Sequence, residues 1–106
     1  MTINISEIIK TSKALSHADG LILYQFIVDN TESKNYVIVF DGIERISTAF
    51  LNASIGKLIL EKRFGLSNID YESAKMLIQK KINSVVANAN NHVSYDESID
   101  DAASIC

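Results

Sequence analysis

The chain has 106 residues, a formal net charge of −3, 47% hydrophobic and 22% charged side chains. That length fits one domain, and that balance supports a buried core and excludes a chain too polar to fold. The basic residues are scattered apart from the pairs Lys62–Arg63 and Lys80–Lys81, so there is no basic stripe and no nucleic acid is expected as a partner. The one cysteine, Cys106, has no internal partner, which fits a reducing compartment. Apolar runs are too short for a bilayer span, and the first residues lack the basic-then-apolar pattern of a secretion signal. The expectation is a cytoplasmic protein with no membrane contact.

Met1 to Ser6 alternates apolar and polar residues and predicts a first strand. Thr11 to Leu15 reads as a short second strand or a turn. Leu21 to Val28, LILYQFIV, has the apolar density of a buried strand. Its flanks read as a helix: Ser16 followed by Asp19 resembles a capping box, and Gly20, Leu23, Ile27 and Thr31 share a helical face. The residues alone leave both readings open. Tyr36 to Phe40 is continuous and β-branched, as in a strand covered on both faces.

Thr48 to Arg63 predicts a helix with Leu51, Ile55, Leu58 and Ile59 on one stripe. Gly56 beside that stripe would let the helix approach the sheet closely, and Gly65 would end it. Leu66 to Asp70 reads as a short strand, with Asp70 capping a last helix. That helix carries Ala74, Leu77, Ile78, Ile82, Val85, Val86 and Ala89 on its apolar stripe and ends near residue 89. Strand and helix patterns alternate, so the expected class is α/β. The domain is placed at 1–95, and 96–106, with Asp96, Glu97, Asp100 and Asp101 and no base, is expected to be an acidic, flexible tail.

The order strand, Gly turn, hydroxyl pair, helix between Tyr36 and Leu60 puts Ser47 and Thr48 at a helix N-terminus, which suits an anion or a phosphoryl group. Both hydroxyls read equally as ordinary caps. Asp41 and Glu44 have no nucleophile or His beside them, which points to a solvated loop rather than acid–base chemistry. His17 and His92 lack metal-ligand spacing, and neither Asp29–Asn30 nor Asp96–Asp101 has the Gly-centred loop of a calcium site. No catalytic residue, metal or cofactor is therefore expected, and the chain does not read as an enzyme. Lys57, Lys62 and Arg63 form a basic group that is either a solvated helix face or a rim of charge for an acidic partner. Tyr24 and Phe26, two residues apart, cannot both face the core of a helix.

The string IVFDGIERISTAFLNASIGKL resembles the core of STAS-type domains, the fold of sulfate transporter and anti-sigma-factor antagonist modules. It is most similar to the small bacterial STAS-like family of unknown function. The shared elements are Asp19-Gly20, Phe40-Asp41-Gly42-Ile43, Ser47-Thr48-Ala49-Phe50, then Leu51, Ile55, Gly56, Lys57 and Leu58, and Asn68 after the third strand. The resemblance covers roughly residues 16 to 89 and departs from the phosphorylated branch at Val39, Ser47, Ala49 and Phe50.

The resemblance implies a STAS-like sandwich with a four- or five-stranded mixed sheet and helices largely on one face, and it makes Leu21–Val28 a helix. It implies a non-catalytic regulatory module that binds a protein partner, such as a GHKL-type ATPase or kinase. Thr48 would be the phosphoacceptor, with Ser47 second. The partner surface would include Gly42, Ile43, Ile46, Ser47, Phe50, Asn52 and Lys57. Two other readings stay open. One is a phage or mobile-element protein that modulates a host defence or regulatory complex; the other is a small-ligand or nucleotide sensor built on the loop before Thr48.

Overall fold

A computed structural model describes residues 1–31 and 35–97. Its class is α/β. Strand β1 (Thr2–Asn4) pairs in parallel with β3 (Val37–Val39), placing Ile3 opposite Ile38. Strand β2 (Lys13–Ala14) pairs in parallel with β4 (Arg45–Ile46). A single parallel bridge joins Ile38 to Ile69. Side chains alternate faces along a strand, so Ile3 and Ile38 turn inward together, as do Ala14 and Ile46, while the paired Lys13 and Arg45 turn to solvent. Among the described residues the strands thus form two pairs and a bridge, a sparser arrangement than the four- or five-stranded sheet implied by the resemblance.

Strand length is limited by capping. Asn4 ends β1 by accepting the Ser6 N–H at 3.1 Å and so opens α1 (Ile5–Ile9). Ser16 follows β2 closely and accepts the Asp19 N–H at 3.0 Å, opening α2 (His17–Asn30). Ser47 follows β4 directly and caps α3 (Thr48–Leu51). Side chains of this kind offer the backbone an alternative to the sheet ladder, and here they take it at three strand ends. Leu21–Val28 is accordingly helix, with Gly20, Leu23 and Ile27 as its buried face.

The chain from 48 to 60 is one continuous helix: α3, a π-helical turn (Asn52–Gly56) and α4 (Lys57–Leu60). Its inner side is buried, while Thr48, Ala49, Asn52 and Leu60 are exposed, the pattern of a helix that turns one apolar face to the core. Phe50, Leu51, Ile55 and Leu58 are all fully inaccessible. Ser54 is the polar exception, and its hydroxyl donates to Phe50 O at 2.8 Å. Helix α2 lies against one flank, and α5 (Met76–Glu97) against the other. The two glycines mark these contacts. A Cβ at Gly20 would stand 2.5 Å from Phe50 O; one at Gly56 would meet Val85 Cγ1 at 3.5 Å. Gly56 therefore faces α5, not the sheet.

Several expected boundaries move. The central helix ends at Leu60 rather than Arg63, and Lys62, at φ 61, makes the left-handed exit expected of Gly65. Leu66 to Asp70 holds a 3-10 turn (Leu66–Asn68) and the bridge at Ile69 instead of a strand. Asp70 precedes a second 3-10 turn (Tyr71–Ser73), and α5 begins later, at Met76. It runs on to Glu97, past the expected end at 89, so Asp96 and Glu97 of the anticipated tail are helical. The rest of that tail, 98–106, lies outside the described residues.

Asn68 has a structural task. It is 1% exposed. Its side-chain amide donates to Tyr36 O at 2.6 Å, and its Oδ1 accepts the Gly65 N–H at 2.7 Å. One side chain thus satisfies two backbone groups where β3 passes the 65–68 turn. No helix among the described residues is long and apolar enough to cross a membrane.

Candidate functional site

The stretch from Phe40 to Phe50 is organised by its backbone. Ile43 N–H donates to Phe40 O at 3.0 Å, closing a turn with Gly42 at φ +84 in its third position. A residue with a Cβ is strained there, so Gly is the natural occupant. The turn delivers the chain to β4, and β4 delivers Ser47 to the start of the central helix.

Ser47 is the helix cap. Its Oγ accepts the Phe50 N–H at 3.1 Å and donates to Leu15 O at 2.7 Å. That hydroxyl is occupied as donor and acceptor and ties the helix start to the end of β2. Thr48, the first helical residue, is exposed and takes no part in those bonds. The two hydroxyls therefore separate: Ser47 holds the fold, and Thr48 faces solvent.

The other predicted contact residues divide in the same way. Gly42 and Asn52 are exposed, whereas Ile43 and Ile46 are each 2% exposed and Phe50 is fully buried. Those three contribute to the core and leave backbone, not side chains, to an outer face. Lys57 is about two and a half turns along the helix from Thr48 and belongs to a different cluster. Its Nζ sits 4.5 Å from the centroid of the Tyr24 ring. Tyr24 donates its hydroxyl hydrogen to the Glu61 carboxylate, and Arg63 Nε lies 3.3 Å from Glu61. The hydrogen bond to Glu61, with some burial and the carboxylate's charge, holds the Tyr24 phenol above its ordinary pKa. Lys62 lies beyond the helix. The expected basic face of Lys57, Lys62 and Arg63 is thus a cation on an aromatic ring and an ion pair at the chain's exit.

What surrounds Thr48 comes from other segments. A cavity of about 380 Å³ opens beside Ser47, walled by Leu15, Arg45, Leu77 and Lys81. Lys81 Nζ donates to Ile46 O at 2.8 Å, pinning α5 against the end of β4. Of its lining, Leu15 is 41% and Leu77 72% exposed; Met76, which precedes Leu77 in the chain, is also 72% exposed. Glu44 is the acidic group of this wall, and its Oε2 accepts from Ser12 Oγ at 3.0 Å. A second, more apolar cleft of about 680 Å³ lies between α1 and α2, lined by Ile8, Ile22 and Phe26 with Glu7 and Gln25. It touches none of the predicted site residues.

Leu77 was expected on the buried stripe of α5, yet adjacent residues lie about 100° apart around a helix. Ile78, Ile82, Val85, Val86 and Ala89 already define the buried side. Leu77 and Lys81, four residues apart, stand together on a neighbouring face; that spacing was the available signal. Asp41 is exposed and Glu44 is held by Ser12. Among the described residues no group of three or more His, Cys, Asp or Glu side chains stands close enough to hold a metal ion. No family model, curated protein or solved structure matches this chain, so what it does has to be read from its own residues.

Proposed function

We propose that this protein is a non-catalytic, cytoplasmic regulatory module that binds a protein partner through the face around Thr48. The observation that carries this reading is the exposed Thr48 on a helix start that Ser47 and Lys81 tie down, next in the chain to a Ser47 that lines a cavity with the exposed apolar side chains Leu15 and Leu77. Contiguous exposed apolar groups with a polar rim are the usual mark of an interaction surface. In this reading the two parallel strand pairs and the Ile38–Ile69 bridge are parts of one STAS-like sheet of four or five strands with helices largely on one face.

By the same resemblance the partner is a GHKL-type ATPase or kinase. Phosphoryl transfer to Thr48 Oγ1 would regulate the contact: the phosphate adds about −1.5 to −2 charges at neutral pH. At the first position of a helix those charges are tolerated by this protein, while an apolar partner surface would reject them. Gly42, Ser47 and Asn52 would border the contact. Affinity capture from the native host with the wild-type chain, Thr48→Ala and Thr48→Glu tests this. The partner should stay with the first two and leave the third. Retention of every captured protein by Thr48→Glu and by Asn52→Arg alike refutes the surface.

A further inference from the structure

We propose that the acidic segment 98–106 of one copy docks on the Leu15–Leu77 face of a second copy, so that the chain self-associates through its own C-terminal region. This inference does not depend on the identity of any partner.

The receiving face is unsatisfied as a monomer surface. Met76 and Leu77 begin α5 at 72% exposure each. Its charge is one-sided. Lys13 and Arg45 stand side by side in register on β2 and β4, and Lys80 and Lys81 follow on the exposed side of α5. Lys75 occupies the cap position of α5, its carbonyl accepting the Gln79 N–H at 2.9 Å. Its side chain has no acceptor to offer the free N–H groups, and the first turn of α5 carries no acidic residue. A helix start ordinarily favours anionic groups; here the chain supplies cations. Glu44 is the nearby countercharge, and it is engaged by Ser12.

The complementary chemistry is in the chain itself. Asp100 and Asp101 follow Asp96 and Glu97, with no Lys or Arg after residue 81. Ile99, Ala102, Ala103 and Cys106 recur at the spacing by which a segment presents one apolar side to a groove. An acidic segment with an apolar side fits an apolar cleft with a basic rim.

Geometry decides that the docking is between copies. From Lys81, where the cleft lining begins, to Glu97 the helix extends about 24 Å. Residues 98–106, even fully extended, reach about 30 Å, so no more than about two of them could lie in the cleft of their own chain. A second copy has no such limit, and two reciprocal contacts close a two-fold dimer.

The test uses full-length chains under reducing conditions, so that Cys106 cannot cross-link copies, with sedimentation analysed over a concentration series at low ionic strength. The wild type should dimerise, and its dissociation constant should rise with added salt as exposed charges are screened. Arg45→Glu with Lys80→Glu alters the face; Asp100→Lys with Asp101→Lys alters the segment. Arg45 and Lys80 are exposed, and circular dichroism checks that both variants fold. Each variant alone should dissociate at least about tenfold more readily. An equimolar mixture should recover association, because each face then meets a segment of opposite charge. A monomeric wild type overturns the inference, as does a dimer indifferent to both variants or a mixture that fails to recover. Neither variant touches Thr48 or Asn52, so failure here leaves the partner-binding test to stand or fall separately.

Discussion

The same substitution at two glycines of the helical layer should have opposite signs. Gly20 lies where α2 crosses the central helix, and an added Cβ would stand 2.5 Å from Phe50 O and 2.7 Å from Ala53 Cβ. Neither neighbour is the free end of a flexible side chain; one is backbone in a fully buried turn. The helices must separate, so Gly20→Ala incurs an overpacking cost of up to about 3 kcal/mol. Replacing Gly by Ala inside a helix returns about 1 kcal/mol, leaving a net loss of about 2 kcal/mol. Gly56 has helical dihedrals, φ −58 and ψ −43. Its added Cβ would make an ordinary contact with Val85 Cγ1 at 3.5 Å. There the propensity gain survives, and Gly56→Ala should stabilise by about 0.5–1 kcal/mol. Equilibrium urea unfolding measures both, with unchanged m-values showing that the unfolded reference has not shifted. A neutral or stabilising Gly20→Ala would refute the close approach of α2 to Phe50, and with it the geometry that presents the Thr48 end of the central helix.

Other expectations follow from single hydrogen bonds. Ser47→Ala should cost about 1–2 kcal/mol through the lost cap and the lost bond to Leu15 O, while Thr48→Ala should stay within about 0.5 kcal/mol; thermal unfolding of the pair reads the difference. Asn68→Ala strands the Tyr36 carbonyl and the Gly65 N–H and should destabilise by about 2–3 kcal/mol in urea titration. Burial pushes the Tyr36 phenol up to about 12, against about 10 in an unfolded chain. The folded state thus favours the neutral phenol: its contribution is complete below pH 10 and is lost as pH rises to about 12, a fall of about 2–3 kcal/mol. Tyr36→Phe should start about 1 kcal/mol lower, having lost the bond to Arg63 O, and should show a shallower decline over that window. Tyr24 and Tyr71, also raised, leave a residual slope.

The elements that a single stretch of residues determines were legible in the sequence. Ser16 and Asp19 carried the capping signal of α2 because a cap is a local bond, although the apolar run Leu21–Val28 left a strand equally open, and the β-branched run at Tyr36–Phe40 announced β3. The positive φ of Gly42 belongs with this group, since turn chemistry is local too. What could not be read depended on partners distant in sequence. Lys62 rather than Gly65 takes the left-handed exit, and Gly65 is instead recruited by Asn68. Strand length was not legible either, because apolar alternation reports burial, whereas ladder length depends on where Asn4, Ser16 and Ser47 turn the backbone aside. At the site, sequence found the hydroxyl pair but not the division of labour between them, because the bond from Ser47 to Leu15 O spans segments far apart in the chain. Nor could it place Leu15 and Leu77 on one cavity, which they line only because α5 is pinned to β4.

Exposure at this face is not an incidental remainder of folding. The chain fixes the backbone under it with three separate bonds: Ser47 to Leu15 O, Ser47 to the Phe50 N–H, and Lys81 to Ile46 O. Each orders a group that would otherwise be mobile, and ordering carries an entropic cost. Leu15 and Leu77 line the cavity beside that frame in contact with water, and Lys75 and exposed Met76 precede Leu77 at a helix start, where an acceptor would be the better choice. A sequence optimised only to fold would correct these one by one, since polar replacements at exposed apolar positions change stability little. Breaches of local rules that gather on one surface are what the proposed binding face would leave behind. That argument predicts asymmetry between stability and association. Leu77→Ser should leave the unfolding midpoint within about 0.5 kcal/mol of wild type while weakening self-association in sedimentation. A Leu77→Ser chain that unfolds much more easily would instead assign Leu77 to the core and remove the face from consideration.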